Sequence, residues 1–463
     1  MVNNDKSIFA LSTPWGISGI AVIRVSGKDC RNLIFKFCSI KNPKPRHVYN
    51  CNLKDRHNNI IDNIMLVYFK GLKSFTGEDM LELYTHGSIA IIKKVLSELT
   101  DEFNLQPAQP GEFLKRAYLN KKISLIQAEG INNLIKSETE KQRIVSSNMS
   151  FNKTTSLCEK IKKDITYLGA LVDATIEFSE EDENIQRSNI QKLLAKIMND
   201  LSDQVKNIQT AKKIFKGLSI LVFGPPNVGK SSLFNLITNS DNSIITSKAG
   251  TTRDLINVAL DLDGYKVNFT DTAGLRFTKD NIELIGIKKT KEKIESEDKL
   301  MLVLSPDAYD ERNVNSLRDL LSKINKKEVI VIFNKEDLVN SKESMQAWVK
   351  ALPFLKKTPF ITTSCISHKK KYEIVKKISK FIKSEFIEKD TVNDNNLFFT
   401  EYRHELHLKK CLNFLKSGYN LLKNVELCSE ELRLALKEIE KIEGNVDKEI
   451  KLDIIFNKFC IGK

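Results

Sequence analysis

Apolar and polar positions divide the chain into stretches of different period. Over residues 1–118 the apolar runs are short and closed by turn residues. Gly19-Ile20-Ala21-Val22-Ile23-Arg24-Val25-Ser26-Gly27 predicts a strand bounded by glycines, and Ile64-Met65-Leu66-Val67-Tyr68-Phe69 predicts another. After the loop Ser74-Phe75-Thr76-Gly77-Glu78-Asp79, the run Met80-Leu81-Glu82-Leu83-Tyr84 alternates as a half-buried strand does. Ile89 to Leu99 has helical spacing. Together these signals predict an α+β domain.

Beyond residue 118 the period lengthens. Leu157, Ile161, Ile165, Leu168, Val172 and Ile176 recur at steps of three and four, the stripe of an amphipathic helix. An acidic run, Glu180-Glu181-Asp182-Glu183, precedes a second stripe at Leu194, Ile197, Leu201, Val205 and Ile208. Glycine and proline are nearly absent between 131 and 216. Helical spacing resumes after Phe398, through Leu406, Leu412, Leu415, Leu422, Leu432 and Ile439. Between these helical stretches lie buried-strand runs at Ile220-Leu221-Val222-Phe223, Lys266–Thr270, Val329–Phe333 and Pro359–Thr363. The expected architecture is therefore multidomain. It has an N-terminal α+β domain over 1–118 and an all-α domain split into 119–216 and 386–463. An α/β P-loop domain over 217–385 is inserted between the two helical halves, which are expected to pair.

Composition narrows the setting. No apolar run reaches the roughly 20 residues of a membrane span, and residues 1–11 resemble neither a secretory signal nor a transit peptide. The eight cysteines stand singly with no C-x-x-C, which argues against a disulfide framework or a zinc site. A reducing, cytoplasmic setting is expected. The formal charge of +14 is compatible with an RNA partner, although abundant lysine throughout would give the same sum.

The chemistry concentrates in Gly224-Pro225-Pro226-Asn227-Val228-Gly229-Lys230-Ser231, which fits G-x-x-x-x-G-K-[ST] between a strand and a helix. Backbone N–H groups and the helix dipole converge there on an anion. Lys230 reaches the outer phosphates and the Ser231 hydroxyl suits Mg²⁺. Downstream, Asp271-Thr272-Ala273-Gly274 offers a carboxylate that holds Mg²⁺ through water and an N–H for the γ-phosphate. Asn334-Lys335-Glu336-Asp337 supplies Asp337, whose carboxylate accepts the guanine N1–H and amino protons that adenine lacks. Asn334 and Lys335 are expected to buttress the base. Gly250-Thr251-Thr252-Arg253-Asp254 lies where a switch loop belongs, with Thr252 completing the Mg²⁺ shell. These motifs in this order predict a GTPase.

The hydrolytic step is less direct. Leu275 follows Gly274 where many GTPases carry a water-orienting glutamine. Asn227 could ligate a monovalent cation against the phosphates. Glu283, within Asn281-Ile282-Glu283-Leu284-Ile285-Gly286, could orient water or could be a solvated helix charge.

Further signatures carry a resemblance. Ser74–Asp79 with Glu82, His86-Gly87, Gln109-Pro110-Gly111-Glu112-Phe113, Arg116-Ala117-Tyr118-Leu119-Asn120, Gln127-Ala128-Glu129 and the final Phe459-Cys460-Ile461-Gly462-Lys463 are similar to the tRNA-modifying GTPase family called MnmE or TrmE. The similarity spans essentially the whole chain. It implies a homodimer working with the MnmG (GidA) flavoprotein, which carries FAD and uses NADH, in a heterotetramer or larger complex. Together the two add an aminomethyl or carboxymethylaminomethyl group to C5 of the wobble uridine in certain tRNAs. It implies a 5-formyl- or methylene-tetrahydrofolate site at Arg24, Glu82, Lys122 and Lys463.

It also implies GTP contacts from Asn227-Val228-Gly229-Lys230-Ser231-Ser232, Thr246-Ser247-Lys248-Ala249-Gly250-Thr251, Asp271–Gly274, Asn334, Lys335, Asp337 and Ser364-Cys365-Ile366. K⁺, held by Asn227, Thr246, Lys248 (through its main chain) and Thr251, stands in for an arginine finger when the G domains dimerise. The resemblance makes Glu283 the water-activating residue, with Lys230 as the second catalytic group, and marks Cys460 for a role in modification. Ser364-Cys365 departs from the usual S-A pair, and Ile366-Ser367-His368-Lys369 lacks the family's common glycines. The competing reading is a GTP-driven, RNA-binding switch in ribosome assembly. Many such proteins carry a G-x-x-G loop after the G domain, and none occurs in 386–463.

Overall fold

In a computed structural model of the chain, the described residues are 6–175, 180–238, 243–244, 257–271, 299–321, 328–365, 371–387, 396–444 and 449–462. They fall into two compact units. One comprises 1–135, 147–201 and 406–463, and the other comprises 136–146 and 202–405.

The first unit is built on a six-stranded sheet of order β3-β4-β5-β2-β1-β6. Its strands are β1 (Ile8–Leu11), β2 (Ser18–Ser26), β3 (Val48–Lys54), β4 (Ile60–Phe69), β5 (Met80–Gly87) and β6 (Gln106–Pro107). All neighbours are antiparallel except β1 and β6. Strand alternation sorts the side chains. Ile23, Val25, Leu66, Leu81 and Leu83 face a core closed by Leu33, Ile34, Val95 and Leu99 from α1 (Cys30–Cys38) and α2 (Ile89–Asp101). Neither α1 nor strands β1 and β3 is signalled by the sequence pattern, because each is short and its apolar residues fit more than one period. On the opposite face Ile8, Ala10 and Met80 pack with Phe113 of α3 (Glu112–Leu119).

The helices that follow are α4 (Leu125–Ile135), α5 (Glu140–Ser150), α6 (Lys153–Ala174) and α7 (Glu180–Lys216). The acidic run of 180–183 lies inside α7, at its start. It therefore does not interrupt the helical pattern. Ile176 lies outside the described residues. Near the C-terminal end come α12 (Tyr402–Asn420), α13 (Val425–Glu443) and α14 (Glu449–Phe456), numbered after the four helices of the second unit given below.

Helix α6 packs along α13. Cys158, Ile161, Ile165, Leu168 and Val172 are buried on one helix, and Cys428, Leu432, Ala435, Ile439 and Ile442 on the other. Lys162 and Glu443 form an ion pair across this contact. The two halves of the helical domain thus pair, as the matching stripes predict. Helix α14 and the tail then return to the N-terminal domain, where Leu452, Phe456 and Phe459 join Leu114, Leu125 and Ala128. Gly111, at φ 67°, sits so close that a Cβ would lie 2.6 Å from the Phe456 carbonyl oxygen. Its N–H donates to the Cys460 carbonyl (3.2 Å), and the Ser12 hydroxyl donates to that of Gly462 (3.0 Å).

The second unit holds a seven-stranded sheet of order β13-β12-β11-β7-β10-β9-β8. Its strands are β7 (Leu218–Phe223), β8 (Ser243–Ile244), β9 (Asn257–Leu262), β10 (Tyr265–Asp271), β11 (Lys299–Leu304), β12 (Glu328–Phe333) and β13 (Phe360–Thr362). Strands β10, β7, β11, β12 and β13 run parallel, and β9 is antiparallel to both of its neighbours. Parallel strands are covered on both faces, which is why these runs are continuously apolar. One face packs Val222, Phe269, Val303 and Ile332 under α8 (Lys230–Thr238) and α11 (Lys371–Ile382). The other packs Phe223, Leu302 and Phe333 under α9 (Glu311–Leu321) and α10 (Ser341–Ala351), with Trp348 fully buried. This is the α/β P-loop architecture that the sequence predicts. Among the described residues no helix is long and apolar enough to cross a membrane.

Candidate functional site

The carboxyl ends of β7, β10, β11, β12 and β13 lie along one edge of the second unit's sheet, where open α/β folds bind ligands. The chain leaves β7 at Phe223, curls through 224–229 and enters α8 at Lys230, with Ser231 and Ser232 exposed in the first turn. Asn227 is exposed in the left-handed region at φ 60°, and Val228 is buried beneath it. The Lys230 ammonium donates to the carbonyls of Gly224 (2.9 Å) and Pro225 (2.6 Å). Its charge therefore lies inside the curl that a phosphate would enter. Asp271 ends β10 opposite Val222 of β7, so its backbone lies beside the loop's root; its side chain is outside the described set.

Asn334 ties this loop to the Asn334–Asp337 segment. It is 2 % exposed, its amide donates to the Val228 carbonyl (2.9 Å), and its side-chain oxygen accepts from the Thr363 hydroxyl (3.3 Å). Its main-chain N–H donates to Leu304 at the end of β11 (2.8 Å). Asn334 thus joins the phosphate loop to three strand ends. Gly229 is obligatory beside it, with φ 94° and only 2.3 Å between a built Cβ and the Asn334 amide nitrogen. Lys335 has φ 61°, and its ammonium donates to Asp307 (2.6 Å).

Partial burial pushes the Asp307 carboxyl up, but hydrogen bonds from Lys335 and Ser305 outweigh it and hold the group below the usual range. Asp337 accepts a hydrogen bond from the Ser364 hydroxyl. Burial, then the Asp337 charge, pushes the neighbouring Cys365 thiol up to about 11, so it stays neutral at physiological pH. The structure therefore brings together the phosphate loop, Asn334, Lys335, Asp337, Ser364 and Cys365. Thr246, Ser247, Lys248, Ala249, Gly250, Thr251, Thr252, Thr272, Ala273, Gly274, Leu275, Glu283 and Ile366 lie outside the described residues. Of the expected cation ligands, the side chains of Asn227 and Ser231 alone are placed.

A second cluster lies on the first unit's sheet. Arg24 on β2 stands opposite Glu82 on β5, and its Nε donates to Glu82 Oε1 (2.8 Å). Tyr84, two residues along the same face, donates its hydroxyl to Glu82 Oε2 (2.5 Å). Burial, then the hydrogen bond and charge of Glu82, pushes the Tyr84 phenol up to about 12. Lys122 donates to the Leu72 carbonyl (2.6 Å) and lines a cleft of about 460 Å³ with Tyr118, Ser124 and Gln127. Lys463 lies outside the described residues. Cys460 is half-buried, and its carbonyl anchors the tail on Gly111.

Three participants escape the sequence reading. Asp307 follows a strand end in Ser-Pro-Asp, a turn signal with no motif around it. Tyr84 is legible only as the next same-face residue after Glu82. Arg116 stands in the sequence only as a signature position. It is in fact 2 % exposed and binds Glu78 (3.0 Å), Glu112 (2.9 Å) and the Lys6 carbonyl (3.1 Å), fixing the 74–79 loop against α3.

Comparison with known proteins agrees with this arrangement. The family described as "GTP-binding protein TrmE N-terminus" matches residues 7–122, and that described as "MnmE helical domain" matches 125–460. The chain is 35% identical over 458 residues to the tRNA modification GTPase MnmE of Ehrlichia canis, covering 99% of each chain. It is 34% identical over 467 residues to that of Aquifex aeolicus, covering 99% of this chain and 100% of the relative. A crystal structure of Era in complex with MgGDPNP and a segment of 16S ribosomal RNA is 27% identical over 36% of this chain and 56% of its own, at a TM-score of 0.27. Family membership rests on the full-length relatives. With two family models matching 7–122 and 125–460 and relatives covered end to end, the chain belongs to the MnmE/TrmE family of tRNA modification GTPases.

Proposed function

We propose that this GTPase spends GTP in modifying the wobble uridine of certain tRNAs at C5, adding an aminomethyl or carboxymethylaminomethyl group together with an MnmG-type flavoprotein that carries FAD and uses NADH. The observation that carries the reading is full-length similarity to MnmE relatives in a chain whose Asn334 locks the phosphate loop to the base-reading segment. A detached G domain would support hydrolysis alone. Here the N-terminal sheet also presents Arg24 and Glu82 as a paired cation and carboxylate, a donor and acceptor set suited to a pterin and its glutamate tail. Lys122 and Lys463 complete that proposed tetrahydrofolate site. With the domain divisions proposed from the sequence, 1–118, 119–216, 217–385 and 386–463, the folate site draws on the N-terminal domain and on both helical halves, and GTP hydrolysis belongs to 217–385.

In the proposed hydrolytic step Lys230 neutralises charge on the outer phosphates and Glu283 positions the attacking water. Mg²⁺ bound by Ser231 and Thr252, and by Asp271 through water, supplies Lewis acidity. K⁺ held by Asn227, Thr246, Lys248 and Thr251 supplies the positive charge that an arginine finger gives elsewhere, with activation on dimerisation. Asn227 lies on the phosphate loop with its side chain exposed, a position open to such a cation. Turnover should be several-fold faster in K⁺ than in Na⁺, and Glu283→Ala should abolish turnover while leaving GTP affinity intact. Steady-state phosphate release and equilibrium nucleotide binding decide the matter. Equal rates in the two salts would remove the cation assignment, and full activity in Glu283→Ala would remove that of the glutamate.

A further inference from the structure

A relay of hydrogen bonds runs from the core of the second unit to Lys335. Trp348, fully buried on α10, donates its indole N–H to the Ser305 carbonyl (3.1 Å). Ser305, equally buried just past the end of β11, donates its hydroxyl to Asp307 Oδ1 (2.6 Å). The other oxygen of Asp307 accepts from Lys335 Nζ (2.6 Å). The Tyr309 ring meets Trp348 edge-on at 5.2 Å, which closes the turn that carries Asp307. At its root Lys335 is fixed by a left-handed backbone, and at its tip by this carboxylate. A lysine stem is otherwise a flexible chain of four carbons. Here both ends are set, and the methylenes between them leave the chain two residues before Asp337.

We infer that Asp307 is a positioning residue of the nucleotide site, pinning Lys335 so that its methylene stem forms a fixed wall for the purine ring beside Asp337. The inference rests on the reading that 334–337 receives the base. A wall of methylenes packs on the face of any purine and reads no edge group. Asp307 therefore sets affinity for purine nucleotides in general, and Asp337 sets the choice of guanine. The ion pair is part-exposed, with Lys335 and Asp307 side chains 22% and 46% accessible. Its loss should therefore be modest and specific rather than disabling.

The test is a double-mutant cycle on the full-length protein, with the affinities of GDP, inosine diphosphate and xanthosine diphosphate measured by fluorescence. Asp307→Asn should weaken GDP and inosine diphosphate by the same factor, roughly two- to fivefold as for loss of a part-exposed ion pair. In a Lys335→Ala background the same substitution should change nothing. Ser305→Ala, which removes only the hydroxyl that orients Asp307, should shift both affinities in the same direction by less. Unchanged GDP affinity in Asp307→Asn would overturn the inference. So would an equal loss in the Lys335→Ala background, which would assign Asp307 to the fold alone, or an altered ratio of GDP to inosine diphosphate, which would make it a reader of the base edge. Asp337→Asn run alongside checks the reading underneath. A shift toward xanthosine diphosphate upholds it, and no shift overturns both together.

Discussion

The nucleotide site turns on contacts of a few atoms. Gly229 illustrates the point, because a single Cβ would meet the Asn334 amide at 2.3 Å from a backbone already at φ 94°. Gly229→Ala should strain the loop or break its bond to Asn334. A residue forced into that backbone region costs of order 1–3 kcal/mol, so GDP affinity should fall roughly tenfold or more. Titration calorimetry checks this, and wild-type affinity would show that the loop does not need Asn334. Residues such as Lys230, Asp271 and Asp337 are legible in the sequence because each occupies a fixed place in a motif whose chemistry admits few substitutes. Asp307 is not legible, because its partner Lys335 is distant in the chain and only the parallel pairing of β11 with β12 brings the two together. Arg24 and Glu82 are intermediate cases. Their strands can be read from the pattern, but their cross-strand pairing depends on register, which the sequence leaves open.

Among the elements, helix pairing follows most directly from periodicity. The stripe Ile161, Ile165, Leu168 and Val172 on α6 becomes the buried face against α13. Ile165 is 1% exposed, so Ile165→Ala removes buried methyl groups and leaves a cavity between the two halves of the helical domain. The expected cost is about 2–5 kcal/mol, read from chemical denaturation. A loss below about 1 kcal/mol would mean that the two halves are not held by this face, since surface changes typically stay within that limit. Shorter elements are less legible. Helix α1 and strands β1 and β3 span nine, four and seven residues, too few for one period to exclude another. Their identity comes from the sheet they complete. The buried Arg116 shows a similar limit. As a string of letters it reads as a basic surface residue, and only the fold surrounds it with Glu78, Glu112 and the Lys6 carbonyl.

For the whole molecule, the proposed function has GTP hydrolysis and an N-terminal cofactor surface serve one reaction on tRNA. The chain order supports this, since a helical domain interrupted by a G domain also carries the tail that returns to the N-terminal sheet through Gly111 and Ser12. A conformational change in the helical domain therefore has a covalent and packed route to that sheet. The formal charge of +14 suits an RNA substrate without identifying one. The most direct measurement is nucleoside mass spectrometry of tRNA from bacteria lacking their own MnmE, with and without this chain, co-expressed with an MnmG-type flavoprotein. Restored C5-modified wobble uridine is the predicted result. Unmodified wobble uridine, from cells that contain the folded flavoprotein and this chain in GTP-hydrolysing form, would rule out the proposed function.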